Sequence, residues 1–353
     1  MTALDAHLSE AQRELLAGSA EVAERELAPL AAVGTPGEVN RPLLRAMAEH
    51  GLLDRLFAGE ASAMELCLIR EGLARHCTEA ETAFAVQGLC SYPILQNEAL
   101  AGHWRPRLAS GEAVAAFALT EPNAGSDVAA LALRAERDGD GYRLSGEKTY
   151  ISNAPDADVY TVFARTSGER GARGITAFAV PGDAEGLSGE RIALVAPHPI
   201  GRLRFDGVVV ARDHVLGEVD RGFAVAMGTL DRFRPSVGAF AVGMAQAALA
   251  AAVSHAGRRE AFGRTLREFQ AVSHRLADVA TRVQAAKLLV HQAAAAYDAG
   301  IRPVTQVAAM AKLLATETAQ DAVDAAIQVH GAVALEEGHP LAHLYREVRA
   351  PRI

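Results

Sequence analysis

The stretch that decides the fold of this 353-residue chain is Phe117–Asp127, which has the sequence FALTEPNAGSD. It is polar and rich in turn-forming residues, and it lies where the sequence changes from a helical to a β pattern. Gly125 has no Cβ, so the nearby backbone amides can approach an anion closely. Thr120 and Ser126 add hydroxyl groups that donate or accept hydrogen bonds. The residues alone leave two interpretations open, a turn at a domain junction or a ligand-binding loop.

The pattern on either side of this loop predicts three segments. Residues 1–116 have apolar residues at helical spacing, few β-branched residues and a candidate N-cap at Ser9. From Phe117 to about Leu216, turn signals separate short runs that predict strands, namely GYRLSGEKTYISN, DVYTVFART, GITAFAVPG and RLRFDGVVV. From about Asp220 three long alanine-rich stretches predict a closely packed helical bundle, in which Gly300 caps the second helix.

Composition excludes several classes of protein. A net charge of -8 makes the chain a poor binder of nucleic acid or of an anionic membrane. The first residues carry no apolar signal core and no apolar run reaches ~20 residues, so we expect a cytoplasmic protein. The odd, low count of 3 cysteines predicts buried free thiols rather than disulfides. Rossmann and P-loop nucleotide sites are disfavoured, because neither glycine motif is present.

A histidine pair at helical spacing raises the question of a metal site. His339 and His343 are four residues apart, but Pro340 interrupts the pattern and no HExxH motif is present. We therefore expect surface or interface histidines and no metal.

Five motifs in order resemble the acyl-CoA dehydrogenase family. TEPNAGSD matches that family's T-E-P-x-A-G-S-D signature. The other four are GEKTYISN at 146–153, LDRFR at 230–234, RREAFG at 258–263 followed by Phe269-Gln270, and QVHG at 328–331. The resemblance covers almost the whole chain. It implies the acyl-CoA dehydrogenase fold, with an N-terminal all-α domain (1–116), a middle β-barrel domain (117–217) and a C-terminal four-helix bundle (218–353).

The resemblance also implies an FAD site shared between subunits. The residues implied to bind FAD are Phe117, Leu119, Thr120, Tyr150, Ser152, Arg259, Phe262, Gln328 and Gly331. The resemblance implies that Arg259 reaches the FAD of a second subunit, and its planar guanidinium is suited to a pyrophosphate. That role implies a homodimer or a dimer of dimers. On the local pattern alone, Arg259 is a solvated charge at a helix end.

The implied substrate residues are Ser126, for a phosphopantetheine arm, and Asp231 and Arg234, beside the thioester. From spacing alone, Asp231 and Arg234 can equally form an i, i+3 ion pair. The family's catalytic glutamate is expected about two residues beyond Ile353, and the family's alternative base position holds Phe233, which cannot accept a proton. Either a further C-terminal segment supplies the base, or another group abstracts the proton, or proton abstraction does not occur. Glu336, Glu337 and Glu347 are near in sequence, without a geometric reason to prefer any of them.

Three departures point to an unusual substrate. The segments at 56–61 and 196–202 are shorter than usual in the family, and Ala332 and Ala334 replace frequent glycines. This compact form resembles the branch that oxidises three-carbon units on an acyl carrier protein for polyketide extender-unit synthesis.

The expected activity is therefore FAD-dependent dehydrogenation of an acyl thioester, with an electron acceptor as a further partner. Three alternatives stay open: a general short-chain acyl-CoA dehydrogenase, a flavin oxygenase without the base, and a flavin-binding scaffold.

Overall fold

The computed structural model describes residues 3–57, 62–169, 171–196 and 198–353. Short 3-10 turns and one π-helical segment, Ala23–Leu27, join the regular elements. The helices are α1 (Glu10–Val22), α2 (Ala28–Ala32), α3 (Arg41–Glu49), α4 (Asp54–Phe57), α5 (Ala63–Ala74), α6 (Thr78–Leu95), α7 (Glu98–Ala109), α8 (Gly222–Arg258), α9 (Gln270–Asp298), α10 (Thr305–His330) and α11 (Pro340–Glu347). The strands are β1 (Ala115–Ala118), β2 (Arg134–Asp138), β3 (Gly141–Ser152), β4 (Val159–Arg165), β5 (Ile175–Pro181), β6 (Leu187–Arg191), β7 (Ile200–Val210), β8 (Val215–Leu216), β9 (Glu260–Ala261) and β10 (Arg264–Thr265).

The order of helical, β and helical segments confirms the predicted fold class. Ser9 is the N-cap of α1, and its side chain forms a capping box with Gln12. The four predicted strands are β3, β4, β5 and β7. β2 and β6 were not predicted, because both are short and mostly exposed and therefore lack an alternating apolar face.

The chain packs into two compact units. The first contains residues 1–29, 61–81 and 231–353, and the second contains residues 30–60 and 82–230. Segments of the N-terminal helical region therefore belong to different units. The domain boundaries after residues 116 and 217 stay predictions. The shortened segment at 56–61 falls partly on residues 58–61, and that at 196–202 includes residue 197, all of which lie outside the described residues.

The second unit is built on an eight-stranded sheet with the strand order β6-β7-β3-β2-β4-β5-β8, and β1 pairs with β4. β1 and β4 run parallel, so the residues that follow β1 leave the sheet at the same end as the residues that follow β4. β4 and β5 are buried along nearly their whole length and form the core of this sheet. The loop at 120–127 thus begins directly at the end of a strand that is anchored in a buried sheet.

The first unit is a helical bundle with an alanine-rich core. Buried alanines of α8, α9 and α10 dominate that core, and Leu16, Cys67 and Leu68 of the N-terminal helices join it. Small side chains let the helix backbones approach closely. Among the described residues, one helix, α8, is apolar and long enough to span a membrane. However, 61% of its most apolar stretch is buried inside the protein, as in a core helix.

A buried polar cluster lies inside this bundle around Glu71, whose side chain is fully buried. Its carboxylate lies 3.0 Å from Lys287 Nζ and 3.1 Å from His291 Nε2. The same carboxylate accepts hydrogen bonds from Arg75 at 2.9 Å and from Gln246 at 3.0 Å. Burial acts to raise the pKa of Glu71, but the hydrogen bond from His291 and the charges of Lys287 and Arg75 outweigh it, so the pKa lies well below its usual value.

All three cysteines are free and buried, as the sequence predicts. Burial raises the pKa of Cys77 to about 12 and raises the pKa values of Cys67 and Cys90 as well. These thiols therefore stay protonated at neutral pH.

Candidate active site

The loop at 120–127 is held by a buried ion pair. Glu121 is 6% exposed and its carboxylate accepts hydrogen bonds from the amides of Ala132 at 2.6 Å and Leu133 at 3.0 Å. Lys148 Nζ lies 2.8 Å from Glu121 Oε1 and donates to the carbonyl of Leu119 at 3.0 Å. Burial lowers the pKa of Lys148 to about 8, although the charge of Glu121 acts in the opposite direction. The amine of Lys148 is thus mostly protonated at pH 7. Through these contacts the ion pair connects residues 119–121 to residues 132–133 and to β3.

Two further hydrogen bonds join β1 and the start of this loop to β3 and the residue that follows it. The amide of Thr149 donates to the carbonyl of Thr120 at 2.9 Å, and the side chain of Asn153 donates to the carbonyl of Ala115 at 2.9 Å. These two bonds hold residues 115–120 alongside residues 149–153, so Phe117, Leu119 and Thr120 lie on a segment next to the one that carries Tyr150 and Ser152. Their shared role in binding a cofactor stays a prediction.

The backbone of Tyr150 departs from regular strand geometry. The register of β3 against β7 shifts between Lys148 and Ile151, and Tyr150 there has a φ of 54°. A bulge of this kind re-aims a side chain, and a positive φ is costly for a residue with a Cβ. The ring is nevertheless 57% exposed. An exposed aromatic residue in a strained conformation is the arrangement expected where a planar ligand packs.

The remaining residues of this unit differ in burial. Phe117 is half-buried, with its ring centroid 4.9 Å from that of Phe163. Leu119 is buried, Thr120 and Ser152 are half-buried, and Ser126 is exposed. The hydroxyl-bearing residues at 120, 126 and 152 therefore all have some access to solvent.

The helical bundle carries the other predicted cofactor residues at one end of α8 and α10. Arg259 follows α8 directly, and Phe262 lies at the tip of the hairpin between β9 and β10. Phe262 and Gly263 have φ values of 51° and 78°, as in a type I′ turn. Phe262 is 96% exposed, so it is a second aromatic residue with a positive φ whose side chain faces solvent.

Gln328 and Gly331 lie at the C-terminal end of α10. Both are exposed, and Gly331 has a φ of 73° and a ψ of -155°. That conformation is essentially restricted to glycine. A Cβ on Gly331 would meet no atom within 4 Å, so open space surrounds this position. The backbone here is accessible to a ligand.

Asp231 and Arg234 form the i, i+3 ion pair that spacing alone allows, with a distance of 3.0 Å. Asp231 also accepts a hydrogen bond from the Thr305 hydroxyl at 2.9 Å. Both side chains keep about a quarter of their surface exposed, at 26% and 28%. The pairing explains their orientation and leaves their proposed contact with a thioester a prediction.

The carboxylates considered as bases differ sharply in burial. Glu347 is 1% exposed and lies 3.9 Å from His343, whereas Glu336 and Glu337 are exposed. Phe233 is 5% exposed within α8. None of these observations assigns the proton acceptor, and its location beyond Ile353 stays a prediction.

The two spaced histidines each make a contact within the protein. His339 is the N-cap of α11, and His343 lies 2.7 Å from the Thr78 hydroxyl. Within the described ranges no group of three potential metal ligands occurs.

Three residues that position the loop had no assigned role in the sequence analysis, namely Glu121, Lys148 and Asn153. All three stand inside the motifs TEPNAGSD and GEKTYISN.

The order of helical, β and helical segments, together with the five motifs, indicates a class of protein, the flavoprotein dehydrogenases with a β domain between helical domains. Family models for the N-terminal, middle and C-terminal domains of acyl-CoA dehydrogenases match residues 9–112, 116–208 and 220–353. The chain therefore belongs to the acyl-CoA dehydrogenase family, which are FAD-dependent oxidoreductases acting on CH–CH groups.

Individual relatives agree with this assignment. Cyclohexane-1-carbonyl-CoA dehydrogenase of Geobacter metallireducens is 35% identical over 345 residues, covering 94% of this chain and 90% of the relative. The short-chain-specific acyl-CoA dehydrogenase of Megasphaera elsdenii is 34% identical, covering 99% of this chain and 95% of the relative. The structure of butyryl-CoA dehydrogenase from Megasphaera elsdenii has a TM-score of 0.91 at 32% identity, covering 98% of this chain and 94% of that one.

Proposed function

We propose that this chain dehydrogenates a short acyl thioester with FAD as the cofactor. The observation that carries the proposal is the attachment of the loop at 120–127 to the end of β3, through the buried pair of Glu121 and Lys148. This attachment supports the proposal because the backbone of Thr120 lies beside that of Thr149, next to the exposed residue Tyr150. FAD supplies the hydride acceptor for the substrate Cβ when it is bound.

We assign roles to the residues of the sheet unit as follows. The Thr120 hydroxyl and the amides near it would bind the polar edge of the flavin, where negative charge collects on reduction. Tyr150 would pack on a face of the ring, Ser152 would hydrogen-bond to it, and Phe117 and Leu119 would line it. Ser126, which is exposed, would contact the phosphopantetheine arm of the substrate.

The bundle would contribute the rest of the site. Arg259 would pair with the diphosphate of an FAD held by a second copy of the chain, and Phe262, Gln328 and Gly331 would complete that contact. Asp231 and Arg234 would border the thioester. Cofactor binding would then require a homodimer or a dimer of dimers. We propose an electron-transferring flavoprotein as the electron acceptor. A similar solved structure is described as the electron-transferring flavoprotein of Acidaminococcus fermentans.

Coenzyme A is the better supported carrier of the acyl group. The relatives act on CoA thioesters by name, including a short-chain-specific enzyme. The second candidate is a three-carbon unit on an acyl carrier protein for polyketide extender-unit synthesis, favoured by the shortened segments at 56–61 and 196–202. In either case we propose a cytoplasmic enzyme.

An anaerobic titration tests the proposal. The purified protein should be yellow, and butyryl-CoA or propionyl-CoA should bleach the flavin absorbance. Propionyl-acyl carrier protein in a parallel titration distinguishes the two carriers. Absence of bleaching with every thioester would refute the dehydrogenase. Oxygen incorporated into the product would instead indicate the flavin oxygenase. A colourless purified protein would indicate the scaffold without enzymatic activity.

A matched pair of variants tests the role of Tyr150. Tyr150→Ala should weaken FAD binding, because it removes the exposed ring from the bulge. Val209→Ala, a substitution at another exposed position (59%) in the same sheet, should leave FAD binding unchanged. Equal FAD affinities for the two variants would exclude Tyr150 from the cofactor site.

A further inference from the structure

Three histidine rings meet where α8 and α10 end in the helical bundle. The ring centroids of His255, on α8, and His330, the last residue of α10, are 4.1 Å apart with an interplanar angle of 32°. The ring of His339, the N-cap of α11, lies 5.7 Å from that of His330. All three side chains are half-buried. Two imidazoles at this separation would repel one another if both were protonated.

Hydrogen bonds fix where two of these rings carry their protons. His330 Nδ1 lies 2.8 Å from the carbonyl of Ala326, which can only accept, so this nitrogen carries the hydrogen. His339 Nδ1 accepts from the amide of Leu341 at 3.1 Å, so its hydrogen is on Nε2. Nε2 of His339 is therefore a donor already in the neutral ring, and Nε2 of His330 becomes a donor when the ring is protonated.

The charged groups that lower the pKa of His255 are all basic. Burial lowers the pKa of His255, and His330, Arg259, Arg258 and His339 lower it further. Among the residues described by the structure, no carboxylate forms an ion pair with Arg258 or Arg259. The exposed carboxylates in the adjoining segments belong to Glu260, Glu336 and Glu337.

The ends of the helices explain only part of this arrangement. The C-terminal end of a helix favours cations, which accounts for single basic residues at the ends of α8 and α10. It does not account for five basic side chains from three elements that have no counter-ion in the part of the chain that the structure describes. Exposed Gln328 and Gly331 lie within three residues of His330, and Arg259 is itself one of the five. The cluster therefore adjoins the residues that we assign to FAD.

We propose that His255, His330 and His339, together with Arg258 and Arg259, form an anion site for the diphosphate of FAD, and that the stacked pair of His255 and His330 takes up a proton when it binds. This inference rests on the proposed function and adds residues and a proton to it. A diphosphate carries the negative charge that the cluster lacks, and its oxygens accept hydrogen bonds from guanidinium and imidazolium groups. FAD affinity should therefore rise as the pH falls from 8 to 6.

Isothermal titration calorimetry on the full-length chain, stripped of flavin, tests this proposal. The dissociation constant of FAD should fall about three- to sixfold between pH 8 and pH 6, for one imidazole proton whose pKa lies at or below its ordinary value of about 6.5 in the free chain and rises by one unit on binding. Titrations in buffers of different ionisation enthalpy should show net proton uptake. Riboflavin, which lacks the diphosphate, should bind without proton uptake.

Two matched variants separate charge from fold. His255→Phe keeps an aromatic ring but cannot be protonated, so the pH dependence should shrink to less than about twofold. His274→Phe makes the same substitution at an exposed position on α9 and should retain the dependence of the unaltered chain. Circular dichroism melts of both variants verify that the bundle is folded.

Each outcome decides the question. FAD affinity that does not change with pH, or that changes equally in His255→Phe and the unaltered chain, would overturn the inference and leave the proposed function intact. Proton uptake with CoA but not with FAD would assign the cluster to the substrate's diphosphate and overturn the FAD assignment. If FAD does not bind at any pH, the proposed function is refuted as well.

Discussion

Replacing Glu121 by glutamine should destabilise the sheet unit far more than an ordinary charge substitution. The side chains of Glu121 and Lys148 are 7% and 0% exposed, and their charged atoms are 2.8 Å apart. Three donors point at the Glu121 carboxylate, two of them backbone amides. A glutamine offers one acceptor oxygen and a competing donor, so at least one N–H is left unsatisfied beside an unpaired ammonium group.

The expected loss follows from the burial of this pair. Removing one partner of a buried ion pair costs about 3–5 kcal/mol, because the other charge stays desolvated without compensation. Lys148→Met should cost roughly 2–3 kcal/mol, since the carboxylate keeps two amide donors. The double variant should lose less than the sum of the single variants by at least ~1 kcal/mol, because it removes both charges together.

The matched control is Glu190→Gln in the same sheet. Glu190 pairs with Arg202 at 2.8 Å, but the two side chains are 68% and 58% exposed. Solvent screening limits such a pair to about 0–1 kcal/mol. The two glutamates thus differ in burial while their ion-pair distances are equal.

Urea unfolding followed by tryptophan emission measures these effects. The chain has 1 tryptophan, Trp104, which is 7% exposed and belongs to the same compact unit as the pair. All variants are compared at pH 7 and at one fixed excess of FAD, because ligand binding adds to apparent stability. A loss for Glu121→Gln no larger than that for Glu190→Gln, or additive losses in the double variant, would refute the reasoning.

Three further predictions concern the bundle. The depressed pKa of Glu71 means that its stabilising contribution is complete above its ordinary value of 4.5 and is lost as the pH falls below it, so acid titration should destabilise the unaltered chain more steeply than Glu71→Gln. Gly331→Ala should cost about 1–3 kcal/mol in chemical unfolding, because of its φ of 73° and ψ of -155°. Gly257→Ala, at an unstrained helical position, should be neutral or stabilising by ~0.5–1 kcal/mol, and equal effects would contradict the strain. Ser9→Ala should cost about 0.5–2 kcal/mol in thermal unfolding through loss of its capping box, whereas Ser254→Ala on the exposed side of α8 should not.

The sequence by itself determined the fold class and the class of cofactor. Helical spacing, turn residues and five ordered motifs were sufficient, because these features are local. The N-cap at Ser9 and the strand from Gly141 to Ser152 follow from neighbouring residues alone. The short, polar strands β2 and β6 escaped this reasoning, since neither has a buried face along its own sequence that periodicity can detect.

Only the tertiary structure decided which charges are buried and which side chains meet. Glu121 and Lys148 are 27 residues apart, and nothing in either motif shows that they pair. Glu71 reaches Lys287 and His291 across more than 200 residues of sequence, and the three histidine rings come from three separate elements. Periodicity shows which face of an element is apolar, but the element that covers this face, and hence the pKa of a charge beneath it, depends on packing between distant segments.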